Sequence, residues 1–333
     1  MLIETEFQKH LQERGLSGED VKSAITAVED FDAYLEKRKT SLESAGLDVL
    51  RDYILLLNKR NRSSEDRLIA LARYYRFARK NDHFIYLVGL FGARNVLPDI
   101  GKRLATIAGE TIRNRVFKAF ELPPLGAPQE EYVKLTKMIV DGLETELPSK
   151  TCKEVLTWNY HNVPVEAFKE KKERFEKAKS IDAFLKEEHR RFIEELTGYM
   201  ERKEIWFEQE ITPEVLELVK DNQEIQNGVR HGDKIYVSKI PFAPKQYLTE
   251  KDPVMKRFYA CHCQLVRTAI RDGKPKISPM FCYCSGGYEK LPYDVIFGEP
   301  VQIELLESVL KGDMRCRFAI KIPKSKMKQR TSV

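Results

Sequence analysis

Arg315-Cys316-Arg317-Phe318-Ala319-Ile320-Lys321-Ile322 is the stretch on which the fold turns. Cys316, Phe318, Ile320 and Ile322 fall on alternate positions, the period of a strand with one buried face. Lys234-Ile235-Tyr236-Val237 reads the same way, just after the turn signals Asn227-Gly228 and His231-Gly232-Asp233. Ile205-Trp206-Phe207 is a further short strand, and Val301 to Leu310 mixes strand-like and helical character. Ser285-Gly286-Gly287-Tyr288, Gly298-Glu299-Pro300 and Gly312-Asp313 read as glycine turns between short strands. Long helical patterns precede these strands. The expected class is α+β, with a small C-terminal antiparallel sheet packed with helices.

Glu166 to Lys203 is the longest helical stretch. Its apolar seam is Phe168, Phe175, Ile181, Phe184, Leu185, Phe192 and Leu196, with Ser180 placed to cap a second helix inside it. His189 lies among charged residues there and is expected to be exposed. Thr212-Pro213-Glu214 opens a helix with proline in its first turn.

Further upstream the pattern is helical throughout. Phe7 and Leu11 mark a short helix that stops at Gly15. Ser17 caps the next, with Asp20 in a capping-box position and Val21, Ala24, Ile25, Val28, Phe31 and Leu35 on one face. Asp48 reads as the cap of a third helix, and Ser63 or Ser64 as the cap of a fourth through Leu68, Leu71, Ala72 and Tyr75. Arg73, Arg76 and Lys80 line another face of that fourth helix. Phe91 to Pro98 reads as a break and Ile100 to Phe120 as a helix. Leu122 to Pro128 is a loop, Gln129 to Leu143 a helix, and Cys152 to Asn159 a short helix or turn. Trp158, Tyr160 and His161 form an aromatic corner.

The 333 residues favour more than one core, and 42% hydrophobic with 32% charged content suits a soluble globular chain. No apolar run is long enough to span a bilayer. The segment from Met1 carries acidic residues where a signal peptide needs a basic stretch, so a cytoplasmic location and no membrane partner are expected. Net charge is +6, which permits nucleic-acid contact without demanding it. Residues 51–80 hold nine Lys or Arg against three Asp or Glu. Lys321 to Arg330 is a short basic tail, read as a solvated end.

Phe7, Leu11, Gly15, Phe31, Tyr34, Leu35, Val49, Tyr53, Ile54, Leu68, Leu71, Tyr75 and Phe77 together resemble the SAM-like core-binding domain of tyrosine recombinases. The resemblance covers about the first quarter of the chain. It implies a small helical bundle that clamps DNA, with Arg73, Arg76 and Lys80 as DNA-contact candidates and residues 51–80 as the DNA-facing region. The recombinase catalytic signature, His-x-x-Arg followed by a tyrosine nucleophile, has no counterpart, so recombination is not expected. The domain reading is residues 1–95 as a SAM-like unit, 96–165 as a helical connector and 166–333 as an α+β domain.

Five of the six cysteines gather near the C-terminus: Cys261, Cys263, Cys282, Cys284 and Cys316. In a reducing compartment such clustering points to metal ligands or reactive thiols rather than disulfides. Zinc takes four soft or borderline ligands, which two close pairs can supply. Cys-x-Cys is tighter than the usual spacing and would put both sulfurs on one face of a strand. Three readings stay open: a metal site, a thiolate whose pKa is lowered by His262 or Arg267, or buried cysteines acting as small apolar side chains.

Cys282, Gly286-Gly287-Tyr288, Phe297-Gly298-Glu299-Pro300-Val301, Glu304, Gly312-Asp313 and Cys316-Arg317-Phe318 resemble the four-vinyl-reductase type of small-molecule-binding domain. The same stretch is similar to a family of L-2-amino-thiazoline-4-carboxylic acid hydrolases. The first resemblance implies a zinc ion beside an organic ligand, held by an early cysteine, a Glu-x-x-Cys pair and a final cysteine. Cys282 and Cys316 match the first and last. The middle pair falls on Leu305 and Ser308, so Cys284, Cys261 or Cys263 would have to replace it. His262, Tyr283, Tyr288, Trp206 and Tyr236 are candidates for the ligand pocket, with Phe207 and Tyr259 beside them. The expected function is a zinc-binding small-molecule sensor with a DNA- or partner-contacting N-terminal unit. The alternatives are a hydrolase of a small cyclic amide or amidine, and an interaction scaffold.

Overall fold

The computed structural model describes residues 2–92 and 94–328, with side chains from Thr5 to Met327. Met1 and the end of the basic tail, Gln329 and Arg330, lie outside the described residues. The chain divides into two compact units. The first runs up to Arg94 and adds Glu121–Glu131; the second takes Asn95–Phe120 and the chain from Tyr132 onward.

The first unit is helical: α1 (Leu2–Glu13), α2 (Gly18–Glu36), α3 (Leu47–Lys59), α4 (Glu65–Phe77) and α5 (Asn81–Gly89). Ser17 Oγ accepts from the Asp20 backbone N–H, the N-cap bond its spacing predicts, and its hydroxyl donates to the Asp20 carboxylate at 2.6 Å. Ser64 Oγ caps α4 by accepting from the Arg67 backbone N–H. The cap of α3 is Gly46 rather than Asp48. Asp48 sits two residues further in, within the first turn, where its charge suits the positive end of the helix. Phe7, Leu11, Phe31, Leu35, Ile54, Leu68, Leu71 and Tyr75 fill the core, joined by Leu125 from the second segment.

The second unit begins with α6 (Val96–Ala108) and α7 (Glu110–Val116), followed by α8 (Gln129–Glu146), α9 (Ser149–Leu156), α10 (Lys169–Lys177) and α11 (Ile181–Glu201). The single helix expected over Ile100 to Phe120 is therefore two, divided at Gly109, whose φ of 88° no other residue type adopts readily. Pro98 does not break the chain. It lies in the first turn of α6, where its missing N–H leaves no bond unmade.

Beyond α11 come β1 (Ile205–Trp206), β2 (Gln209–Glu210), α12 (Pro213–Lys220), β3 (Val229–His231) and β4 (Lys234–Ser238). They are followed by α13 (Pro244–Thr249), α14 (Pro253–Ala260), α15 (Arg267–Asp272), α16 (Tyr283–Phe297), β5 (Ile303–Glu307), β6 (Arg317–Lys321) and α17 (Lys324–Lys328). The main sheet is antiparallel, in the order β3-β4-β6-β5. Its register pairs Val237 with Phe318 and Ile235 with Ile320. These side chains pack against Phe175, Phe184, Leu185, Ile296 and Phe297 of α10, α11 and α16. The α+β class read from the alternation of Phe318, Ile320 and Ile322 is the observed one.

Two local expectations fail. Ser285-Gly286-Gly287-Tyr288 is not a turn but part of α16. His189 is not exposed; it is buried on α11, where burial pushes its pKa down.

Candidate functional site

In the first unit, α4 turns Leu68, Leu71, Tyr74 and Tyr75 inward and leaves Arg73 and Arg76 exposed. Arg79 follows just past the helix end, also exposed, with a left-handed backbone. Among the described residues none of these three arginines makes an ion pair; Arg76 stacks its guanidinium 5.5 Å from the Phe84 ring. Arg67, by contrast, is held by Asp30 at 2.6 Å and does not belong to the free set. Lys80 departs from its expected place. It stands outside α4, at the cap of α5, and its ammonium donates to the Glu43 carbonyl.

In the second unit the five cysteines share one neighbourhood, but neither close pair is on a strand. Cys261 closes α14 and Cys263 follows it in a loop. Cys282 ends a 3-10 turn, Cys284 stands in the first turn of α16, and Cys316 precedes β6. Cys261 and Cys284 are buried and the other three half-buried. Burial pushes the Cys261 and Cys284 thiols up to about 12. Burial and then the neighbouring sulfurs hold Cys263 and Cys282 well above the ordinary thiol range. That direction is opposite to the one a nucleophilic thiolate needs.

Two buried cations lie among these sulfurs. The Lys239 ammonium donates to Ser285 Oγ at 3.0 Å and is 3.3 Å from a Glu289 carboxylate oxygen. Its backbone N–H donates to the Cys316 carbonyl. Burial opposes the Lys239 charge, but Glu289 and the nearby Cys316 outweigh it and raise its pKa. Arg267, only 8% exposed, is sandwiched between Phe242 at 4.3 Å and Phe258 at 4.5 Å. Its Nε has no acceptor. Burial pulls the Arg267 pKa down, while Cys261, Glu208 and Cys263 act in the other direction. Burial also pushes the Glu208 carboxyl toward its neutral form.

His262 does not point at a shared site with a free ring nitrogen pair. Its Nε2 is 2.6 Å from the Ile240 carbonyl, which can only accept, so Nε2 carries the proton. Burial, then Lys239, pushes the His262 pKa down to about 3.

Zinc chemistry finds a suitable donor set here in kind, since thiols near fixed cations ionise on a soft metal. The donors are not gathered into a cage, however. Among the described residues no three His, Cys, Asp or Glu side chains are placed to hold one metal ion.

The expected pocket residues are dispersed. Trp206 is core, edge-on to Phe192 at 5.2 Å, with its indole N–H on Glu195. Tyr236 is half-buried on β4 beneath the Arg317 guanidinium. Tyr283 is buried at the start of α16, and Tyr288 is 38% exposed. Phe207 projects from the β1–β2 turn and Tyr259 packs on Phe258. A cavity of about 540 Å³ lies elsewhere, lined by Lys172, Phe175, Glu176, Ile296, Phe297 and Gly298, with Lys326 at its edge. None of the expected residues borders it.

Sequence reading missed Lys239 and Glu289. The available signal was a single lysine set between the apolar Val237 and Ile240 at the end of a strand. Arg267 gives the same kind of signal, a lone cation in Leu265-Val266-Arg267-Thr268-Ala269-Ile270.

Two protein families match parts of the chain. Residues 5–82 match the phage integrase, N-terminal SAM-like domain. Residues 214–328 match a family of unknown function (DUF6144). The first match bears out the SAM-like reading of the N-terminal helices; the second does not confirm the four-vinyl-reductase resemblance. No curated protein and no solved structure matches the chain. Among the described residues, no helix is long and apolar enough to cross a membrane.

Proposed function

We propose that this chain is a DNA-contacting sensor protein, with the first unit holding duplex DNA through the exposed arginines of α4. The observation that carries the reading is the pair Arg73 and Arg76, exposed on a SAM-like helix and without carboxylate partners among the described residues. Cations already paired within the protein gain little from a phosphate, whereas free ones release counterions from it. Lys80 contributes less than its place in the sequence suggests, because its ammonium is already on a carbonyl. Arg79 takes its place beside Arg73 and Arg76.

The test is fluorescence anisotropy with a labelled duplex at low salt. Arg73→Ala with Arg76→Ala should weaken binding at least tenfold while leaving the helical content unchanged. No measurable duplex binding by the parent chain would end the reading.

A second reading concerns the other unit, and Arg267 favours it. A buried guanidinium with an orphan Nε beside Cys261 and Cys263 is left without a strong counter-charge while the thiols are neutral. Ionised thiols on a soft divalent metal such as zinc would supply that charge. The reading is that the cysteines bind such a metal after side-chain rotation, and that this unit is the responsive part. The resemblance to the four-vinyl-reductase type keeps a small organic ligand within it. Metal content should be measured by mass spectrometry on untagged protein, with Cys282→Ser and Cys263→Ser beside it. Near-stoichiometric zinc lost in both variants is the expected result; no metal in any sample would overturn it.

A further inference from the structure

Few large apolar side chains of the described residues are exposed, and Trp158 and Tyr288 are two of them. They belong to one ledge of the second unit. Gly287 explains why. A Cβ at that position would lie 2.2 Å from the Trp158 carbonyl oxygen and 2.4 Å from its amide nitrogen. Only a glycine lets the segment after α9 lie directly on α16. Tyr288 is the next residue along, and its ring meets the edge of His161 at 5.6 Å.

Three of the rings on or beside this ledge are matched to a cation. The Arg103 guanidinium stacks 3.8 Å from the centre of the Trp158 ring, anchored by its Nε on the Glu154 carbonyl. That contact takes one face of the indole. The residue nonetheless remains 51% exposed. Lys239 lies 5.3 Å from the Tyr288 ring, and the exposed Lys153 lies 5.1 Å from the ring of Tyr283. The core of a protein-docking surface is depleted in lysine, though not in arginine. Here cations are interleaved with the rings instead.

We infer that the ledge formed by Trp158, His161 and Tyr288 binds single-stranded nucleic acid, with an unstacked base on Trp158 and the backbone near Arg103 and Lys153. Base–aromatic stacking tolerates any sequence, and adjacent Arg and Lys neutralise phosphate. The bases of an intact duplex are stacked on one another and cannot reach an exposed indole. This surface therefore differs in its substrate from the arginine face of α4, and it does not depend on that reading.

The chain holds two tryptophans, Trp158 and Trp206, and the second is buried. Intrinsic fluorescence is thus a direct report on the ledge. The experiment is a titration of the Arg73→Ala, Arg76→Ala chain with oligo(dT) at low salt. Saturable quenching is expected, absent in the additional Trp158→Phe variant. Anisotropy with labelled oligo(dT) should show affinity falling roughly tenfold in Trp158→Ala. The inference is overturned if oligo(dT) produces no quenching, if quenching persists in Trp158→Phe, or if duplex quenches equally well. Because Arg73 and Arg76 are already removed, none of these outcomes bears on duplex binding by α4.

Discussion

Cys282 Sγ lies 3.0 Å from Ser308 Oγ. The sequence expectation set the missing Glu-x-x-Cys cysteine at Ser308, but residues 214–328 match a family of unknown function and do not confirm the resemblance behind it. Ser308 is fully buried, and it organises the turn after β5: its amide donates to Asp313, and its carbonyl accepts from Lys311, Gly312 and Asp313.

Under the proposed metal-binding reading, sulfur placed beside Cys282 should strengthen metal binding. Ser308→Cys is expected to tighten zinc affinity at least tenfold over the parent chain, measured by competition with a chromophoric chelator. Unchanged affinity would mean that Cys282 and position 308 do not contribute to one metal site.

Gly287→Ala sets two opposed effects against each other. Alanine in a helix is favoured over glycine by about 1 kcal/mol. The new methyl must also displace the Trp158 backbone, which approaches to 2.2 Å, and overpacking of this kind costs about 1–3 kcal/mol. Because the neighbour is backbone rather than a flexible side-chain tip, the second effect should win. Urea denaturation should show a lower midpoint. A higher midpoint would show that the ledge is not clamped as described.

The same helix marks where sequence reading stops. Ser17 and Ser180 were legible as caps, Ser64 as one of two candidates, and Thr212-Pro213-Glu214 as a helix start, because a cap is decided within four residues. Phe318 and Ile320 were legible because alternation is local. Gly286 and Gly287 look like a turn for the same local reason. They lie inside a helix instead, and glycine is demanded only at Gly287, where a Cβ would strike the Trp158 backbone; at Gly286 a Cβ would make ordinary contact with the Phe318 ring. The cysteines were legible as a group and Arg267 as a neighbour, but reading Cys-x-Cys as strand left Lys239, which comes from the end of β4, unseen. His189 was read as exposed from its charged neighbours in sequence, yet the face it occupies is covered in the fold.

Acid should destabilise the chain before its carboxylates titrate. Burial, then Lys80, holds the His83 pKa below its ordinary value of 6.5, although the Gly46 and Ala45 backbone groups act the other way. His189 and His10 are depressed as well, in each case chiefly by burial. In the unfolded chain these rings take up a proton near 6.5, while in the folded chain they do so only at lower pH. The stability they contribute is therefore complete above about pH 6.5 and falls as pH drops beneath it, by at most about 1.4 kcal/mol per pH unit for each ring. Thermal unfolding at pH 7.5 and pH 5 should show the loss, and His83→Gln should reduce it. Equal reduction at both pH values would contradict the assignment.

The salt dependence of duplex binding tests the central claim most directly. The logarithm of the affinity should fall linearly with the logarithm of salt concentration, by about 0.9 for each phosphate neutralised. Removing Arg73 and Arg76 together should lower that slope by about 2 as well as weakening binding. A slope unchanged in the double variant would place the DNA contact elsewhere, and a parent chain that binds no duplex at low salt would contradict the account.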